Sequence, residues 1–209
     1  MRKTAKREDI RDLILDAVNK LLAKLGYKKM TMEDVAREVG IGKGTIYLHF
    51  PSKQELALAH IDRVVDRVLV DLREKAGAPA PADTRIRRML VSRVLMRFDS
   101  VVDYSHNLSD LLSSVRAALL ARRKAYFEKE AALLEGVLRE GARDGVLDCI
   151  DPRTASFVLI EATNSLLPFN LSAQELGRRE EVEAQAGRVA DLLVKGLLAC
   201  PSRPASWTR

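Results

Sequence analysis

Ile10, Leu13, Ile14, Ala17, Val18, Leu21, Leu22 and Leu25 recur in steps of three and one, the stripe of an amphipathic helix, which ends at Gly26. Thr31 can cap a second helix in which Asp34 supplies the reciprocal carboxylate and Met30 and Val35 close a hydrophobic staple; Gly40 is its C-terminal stop. A short segment from Gly42 to Phe50 runs into Pro51, and Ser52 with Glu55 forms a capping box that opens a long helix to about Lys75. Residues 10–50 therefore read helix, helix, turn, helix. The Ala76-Gly77-Ala78-Pro79-Ala80-Pro81-Ala82 stretch reads as a linker. Beyond it, helical patterns run over about 83–102, 107–114, 116–141, 153–167 and 174–199, with breaks at Gly145, at Asp151-Pro152 and at Pro168. No period-two alternation persists and no repeat recurs, so the pattern predicts an all-α chain of about nine helices.

Composition narrows the class. A chain of 209 residues with 47 % hydrophobic and 31 % charged residues, but only 11 Gly and 7 Pro, can bury a sizeable core and is neither disordered nor collagen-like. Cys149 and Cys200 lie far apart without a CxxC spacing, which predicts neither a disulfide framework nor a zinc site, and no cofactor is expected. No apolar run reaches the length of a membrane span and the charged first residues do not read as a secretory signal, so a cytoplasmic protein with no membrane partner is expected. The net charge of +6 is concentrated at the front. Residues 1–60 hold 12 Lys/Arg against 8 Asp/Glu, leaving 23 against 21 elsewhere. A basic front on a nearly balanced remainder suits one part that meets a polyanion and another with a different task.

The segment before Pro51 carries the sharpest chemistry. With Ile46 and Phe50 turned inward at i and i+4, a helical projection points Gly44, Thr45 and Leu48 away from the core. Tyr47 and His49 fall on opposite flanks, and Lys43 lies at the N-terminal end on the Tyr47 side. A helix entering a major groove needs this distribution, with small or adaptable groups facing base edges and hydrogen-bonding groups facing the phosphate walls.

The run Thr31-Met-Glu-Asp-Val-Ala-Arg-Glu-Val-Gly-Ile-Gly-Lys-Gly-Thr-Ile-Tyr-Leu-His-Phe-Pro-Ser-Lys-Gln-Glu-Leu56 resembles the helix-turn-helix signature of the tetracycline-repressor (TetR) family of bacterial transcriptional regulators, a likeness covering roughly residues 10–60. It implies a DNA-binding domain over residues 1–55, a connecting helix over about 52–75, and a helical ligand-binding and dimerisation domain over 76–209. By the same resemblance Lys43, Gly44, Thr45 and Leu48 approach bases, while Thr31, Tyr47, His49 and Lys53 hold phosphates. Backbone N–H groups near Thr31 and Lys53 add anion sites at two helix starts. Gly42 departs from the family, which often carries a small polar residue there. Arg2, Lys3, Lys6 and Arg7 read equally as an arm along DNA or as a solvated tail.

The remaining sequence resembles the family in layout only. Val182, Ala186, Val189, Leu193 and Leu197 form a stripe flanked by Ala190 and Gly196, and Phe157, Ile160 and Asn164 follow similar spacing on the preceding helix. Such stripes pair two helices from each of two chains in the family's usual homodimer, or face their own core. A dimer implies a near-palindromic double-stranded operator. Met96, Phe98, Tyr104, His106, Asn107, Tyr126, Phe127, Asn164 and Phe169 are the candidates for a pocket holding an unknown small-molecule effector.

The reading that results is a homodimeric repressor released from its operator by a ligand, with an activator of the same fold or a DNA binder without sequence preference as alternatives. Catalysis is not expected. Gly40-Ile-Gly-Lys-Gly-Thr45 fails the phosphate-loop spacing, which needs Gly at 37 and Ser or Thr at 44 where Arg37 and Gly44 stand, and neither HExxH nor GxSxG occurs.

Overall fold

The structure, a computed structural model, describes residues 2–168 and 176–199. Among these residues it contains helices α1 (Arg2–Lys29), α2 (Met32–Val39), α3 (Lys43–His49), α4 (Lys53–Ala76), α5 (Ala82–Val101), a 3-10 segment (Val102–Asn107), α6 (Leu108–Arg143), α7 (Pro152–Asn164) and α8 (Arg179–Leu197), and no strand. The chain is all-α, and a single antiparallel bridge between Leu147 and Leu198 ties the α6–α7 connection to the end of α8.

The capping chemistry explains most of the boundaries. Thr31 Oγ1 accepts from the Asp34 N–H at 3.1 Å and Asp34 Oδ2 accepts from the Thr31 N–H at 3.0 Å, so two orphan donors at the start of α2 are satisfied reciprocally. Gly40 closes α2 at φ 77°, the left-handed conformation that glycine adopts without steric cost. Asp151 accepts from the Thr154 N–H at 3.1 Å with Pro152 opening α7. At α4, Ser52 Oγ accepts from the Glu55 N–H at 3.1 Å, but the Glu55 carboxylate turns away to Arg122, so the expected box is half built.

Two further differences have local causes. Instead of separate helices over 107–114 and 116–141, α6 runs unbroken for 36 residues. The Ser113 and Ser114 hydroxyls donate back to the Asp110 carbonyl at 3.1 and 2.7 Å, and no Gly or Pro interrupts the first half. In α1 the backbone leaves helical geometry at Gly26 (φ 73°, ψ 164°), then completes one more turn to Lys29.

The helices pack around two apolar clusters. One joins Ile14, Val18 and Leu22 of α1, Val35 of α2, Ile46 of α3 and Leu56, Leu58 and Ile61 of α4 to Val94 and Val101 of α5, Tyr104, and Leu108, Leu111 and Val115 of α6. The second lies farther along α4–α8, around Leu72, Ile86, Met89, Leu134, Leu138, Ile160 and Ala190. Inside α5 and α6 sits a charged group. Arg93, Arg97 and Glu130 are buried together, with Arg93 Nε donating to Glu130 Oε2 at 2.8 Å and Arg97 Nη2 paired with the other oxygen. No described helix is long and apolar enough to cross a membrane.

Candidate functional site

Ile46 is fully buried and Phe50 2 % exposed, and burying such side chains fixes α3 on the molecule by about 1.5–3 kcal/mol each. The opposite face is bare. Lys43, Gly44, Tyr47 and Leu48 are exposed, Leu48 at 76 %, while Thr45 and His49 are half-buried. The helical projection matches the observed exposure for Ile46, Phe50, Gly44 and Leu48, whereas Thr45, projected outward, is half-buried. Gly42 begins α3 in extended geometry without a side-chain cap, and no atom lies within 4 Å of where a Gly44 Cβ would stand. Gly44 therefore offers open space for a backbone or base edge to approach.

The flanking groups are held by neighbours. Lys43 pairs with Glu33 of α2, which holds its ammonium above the usual lysine range. Lys53 donates to the Lys28 carbonyl at 3.2 Å and lies 4.4 Å from the centroid of the Tyr27 ring, and burial lowers its pKa. Thr31 is exposed at the start of α2, its hydroxyl engaged by Asp34. Thr31 and Lys53 therefore stand at two helix starts, where the dipole and the N–H groups that the caps do not take favour an anion.

Residues 14–60 match the bacterial regulatory proteins of the tetR family. The match spans more than half of α1, all of α2 and α3, and the start of α4. The helix-turn-helix is that of the TetR family. Over nearly their full lengths the chain resembles two proteins of Bacillus subtilis. One is an uncharacterised helix-turn-helix transcriptional regulator, YhgD, 27 % identical over 91 % of this chain and 98 % of that protein. The other is the fatty acid metabolism regulator protein, 25 % identical over 88 % of this chain and 93 % of that protein. A solved structure of the transcriptional regulator FadR from Bacillus subtilis in complex with stearoyl-CoA superposes with a TM-score of 0.62, covering 88 % of this chain and 97 % of that one at 21 % identity. The chain is accordingly a DNA-binding transcriptional regulator with a TetR-type helix-turn-helix.

Behind the reading head, α4, α5, α6 and the end of α7 enclose a cavity of about 100 Å³. Of the nine pocket candidates, Tyr126, Phe127 and Asn164 line it. Phe98 is packed in the front cluster, and Met96 lies instead on a groove between α1, α4 and α5. Tyr104 is 2 % exposed and its hydroxyl meets His60 Nε2 at 3.1 Å, so it belongs to the core between α4 and the 3-10 segment. His106 is exposed to solvent. Asn107 caps the end of α1, donating to the Leu22 carbonyl at 3.2 Å, and Phe169 lies outside the described residues. Apart from Phe169, the candidates not on the cavity are placed elsewhere because aromatic and amide groups at helical spacing also serve packing and caps.

What the candidates missed are arginines. Arg97, Arg116 and Arg123 all line the cavity. A sequence signal for Arg97 existed: with Arg93 it falls on the stripe of Met89, Leu90, Val94 and Val101, where a charge interrupts an otherwise apolar face.

The dimer candidates divide by exposure. Ile160, Val182, Ala186 and Ala190 are turned into the chain's own core, beyond a partner's reach. The small side chains on α8 instead admit α5, where Arg87 pairs with Asp191. Phe157, Val189, Leu193 and Leu197 are half-buried, Asn164 faces the cavity, and the exposed apolar groups on α7 and α8 are Val158 and Leu192.

Proposed function

We propose that this protein is a homodimeric repressor, released from a near-palindromic operator by a small molecule bound between α4, α5, α6 and α7. The observation that carries the reading is the polarity of α3, apolar toward α1 and α2 and bare on the other side. Lys43, Gly44, Thr45 and Leu48 meet base edges, and Tyr47, His49, Thr31 and Lys53 meet phosphates. Two copies join through Val158, Val189 and Leu192 on the outer faces of α7 and α8, with Phe157, Leu193 and Leu197 at the rim. That gives two reading heads on one face of the duplex.

Two ties connect the cavity to the heads. Arg122, one residue before the cavity's Arg123, holds Asp62 at 2.6 Å and Glu55 in the first turn of α4 at 3.1 Å. At the start of α6, Asp110 binds Lys28 at 2.7 Å and Asn107 caps α1, on the stretch that carries Leu112 and Arg116 to the cavity. A ligand that displaces α6 thereby moves both α1 and α4. To swing the heads from almost fully DNA-competent to almost fully incompetent it needs about 5 kcal/mol of differential affinity. The fatty acid name of one relative and the stearoyl-CoA bound by a structural neighbour favour a ligand with an acyl tail, which the largely aliphatic cavity wall suits.

Fluorescence anisotropy on DNA beside the protein's own gene, across a salt series and against random DNA, tests the reading. The expected result is dimer-stoichiometric binding, orders of magnitude tighter than to random DNA and steeply weakened by salt, with Tyr47→Ala losing about tenfold or more. Equal affinity for both DNAs would instead indicate a binder without sequence preference. A promoter–reporter assay with and without the protein separates repression from activation.

A further inference from the structure

The cavity is lined by three arginines and, among the described residues, by no carboxylate. Arg97, 2 % exposed, is the most buried of them; Arg123 is half-buried and stacks on Phe127, its guanidinium carbon 5.0 Å from the ring centroid, and Arg116 is exposed. Arg97 does not stand alone. It shares Glu130 with Arg93, so two guanidinium groups face one carboxylate whose two oxygens are both already used. Arg93 donates further to Thr163 Oγ1 at 2.5 Å and to the Ile160 carbonyl at 3.3 Å, both neutral, and its Nη2 has no acceptor. Burial, with Arg97 beside it, brings Arg93 down to about 10 against the pull of Glu130, and it stays charged at neutral pH. Among the described residues the cluster therefore holds one positive charge without a counterion, an arrangement that costs several kcal/mol unless an anion completes it.

Apart from Tyr126, Phe127 and Asn164, the rest of the wall is aliphatic, from Ile61 and Val65 of α4 to Leu112 and Leu119 of α6 and Leu167 beyond α7. We propose that the ligand of this cavity is a monocarboxylate with an apolar tail, seated carboxylate-inward against Arg97, so that two anions then balance two guanidinium groups. The inference rests on the ligand-responsive reading above and adds the ligand's class and orientation. It separates a free acid from its coenzyme A thioester, because the acyl end of a thioester offers Arg97 only a methyl group. Size adds a constraint. A cavity of about 150 Å³ accepts benzene, so one of about 100 Å³ takes a short tail. Longer tails must pass Leu120 and Phe127 into a surface recess of about 370 Å³ that shares those two residues and Arg123.

Calorimetric titration of the full chain with hexanoate, hexan-1-ol, hexylamine and hexanoyl-CoA tests this, with operator release followed by anisotropy. Hexanoate is expected to bind at least tenfold tighter than hexanol or the thioester, the amine not at all, and to release DNA. Arg97→Met, which leaves Glu130 paired with Arg93, is expected to bring the acid-to-alcohol ratio near one while hexanol still binds. Equal binding of acid and alcohol by the wild type, binding of the thioester without the acid, or an unchanged ratio in Arg97→Met overturns the proposal. Should Arg97→Met fail to fold, the wild-type acid-to-alcohol ratio decides alone. A protein that binds operator but none of the four compounds refutes the carboxylate assignment only, whereas one that binds no DNA selected from a random pool refutes the regulator reading beneath it.

Discussion

His60 shows how a single buried side chain sets a pH response. It is 3 % exposed, meets Tyr104 through Nε2 and leaves Nδ1 without a partner. Burial, with Arg63 and Arg67 on its own helix outweighing Asp16 of α1, lowers its pKa from 6.5 to about 4. Between these values the unfolded chain binds a proton that the folded one refuses, so stability is complete above pH 6.5 and falls as pH drops toward 4. The loss attached to this residue is about 3 kcal/mol. Urea unfolding of wild type and His60→Gln at pH 7.5 and 5 checks it, and the variant should show a distinctly flatter dependence on pH over that window. At this scale the sequence was informative where a side chain's direction follows from helix phase, as for Ile46, Phe50 and Leu48. It offered Tyr104 and Asn107 as pocket candidates, because their partners, His60 and the Leu22 carbonyl, are 44 and 85 residues away and leave no local signal.

At the scale of elements, local capping chemistry made α2, α4 and α7 legible, since Thr31, Ser52 and Asp151 each accept from an N–H three residues on. The unbroken α6 was not legible, because its apolar positions face different neighbours along its length and its pattern changes phase without the helix breaking. Gly26 is the element boundary with the tightest requirement. Its φ of 73° with ψ of 164° belongs to a region open essentially to glycine, and a Cβ there would stand 2.8 Å from the Asn107 side chain. Gly26→Ala should cost about 1–3 kcal/mol from the backbone alone, with the clash added. Adding Asn107→Ala should recover only the clash, an inequality that a double-mutant cycle by urea unfolding measures directly.

At the scale of the molecule, the buried cluster is the most sensitive point, since one carboxylate holds two guanidinium groups away from water. Glu130→Gln should destabilise by about 3–5 kcal/mol, as breaking a buried pair generally does, and lower the melting temperature by roughly 10 °C. A thermal scan decides; a change of a degree or two would mean that the cluster relaxes into solvent. The all-helical layout was readable from periodicity, but which helices enclose the cavity was not, because that depends on tertiary packing. Val94, Tyr104, Leu108 and Leu111 share a core with Ile14, Val18 and Ile46, so the helix-turn-helix is packed partly on residues beyond position 76. Transplanting residues 1–55 onto another regulator would leave that side of the head uncovered, and a working hybrid must carry the stretch around 94–115 along with it. If α3 meets base edges as proposed, new operator specificity is therefore more accessible through substitutions on its bare face than through exchange of whole heads.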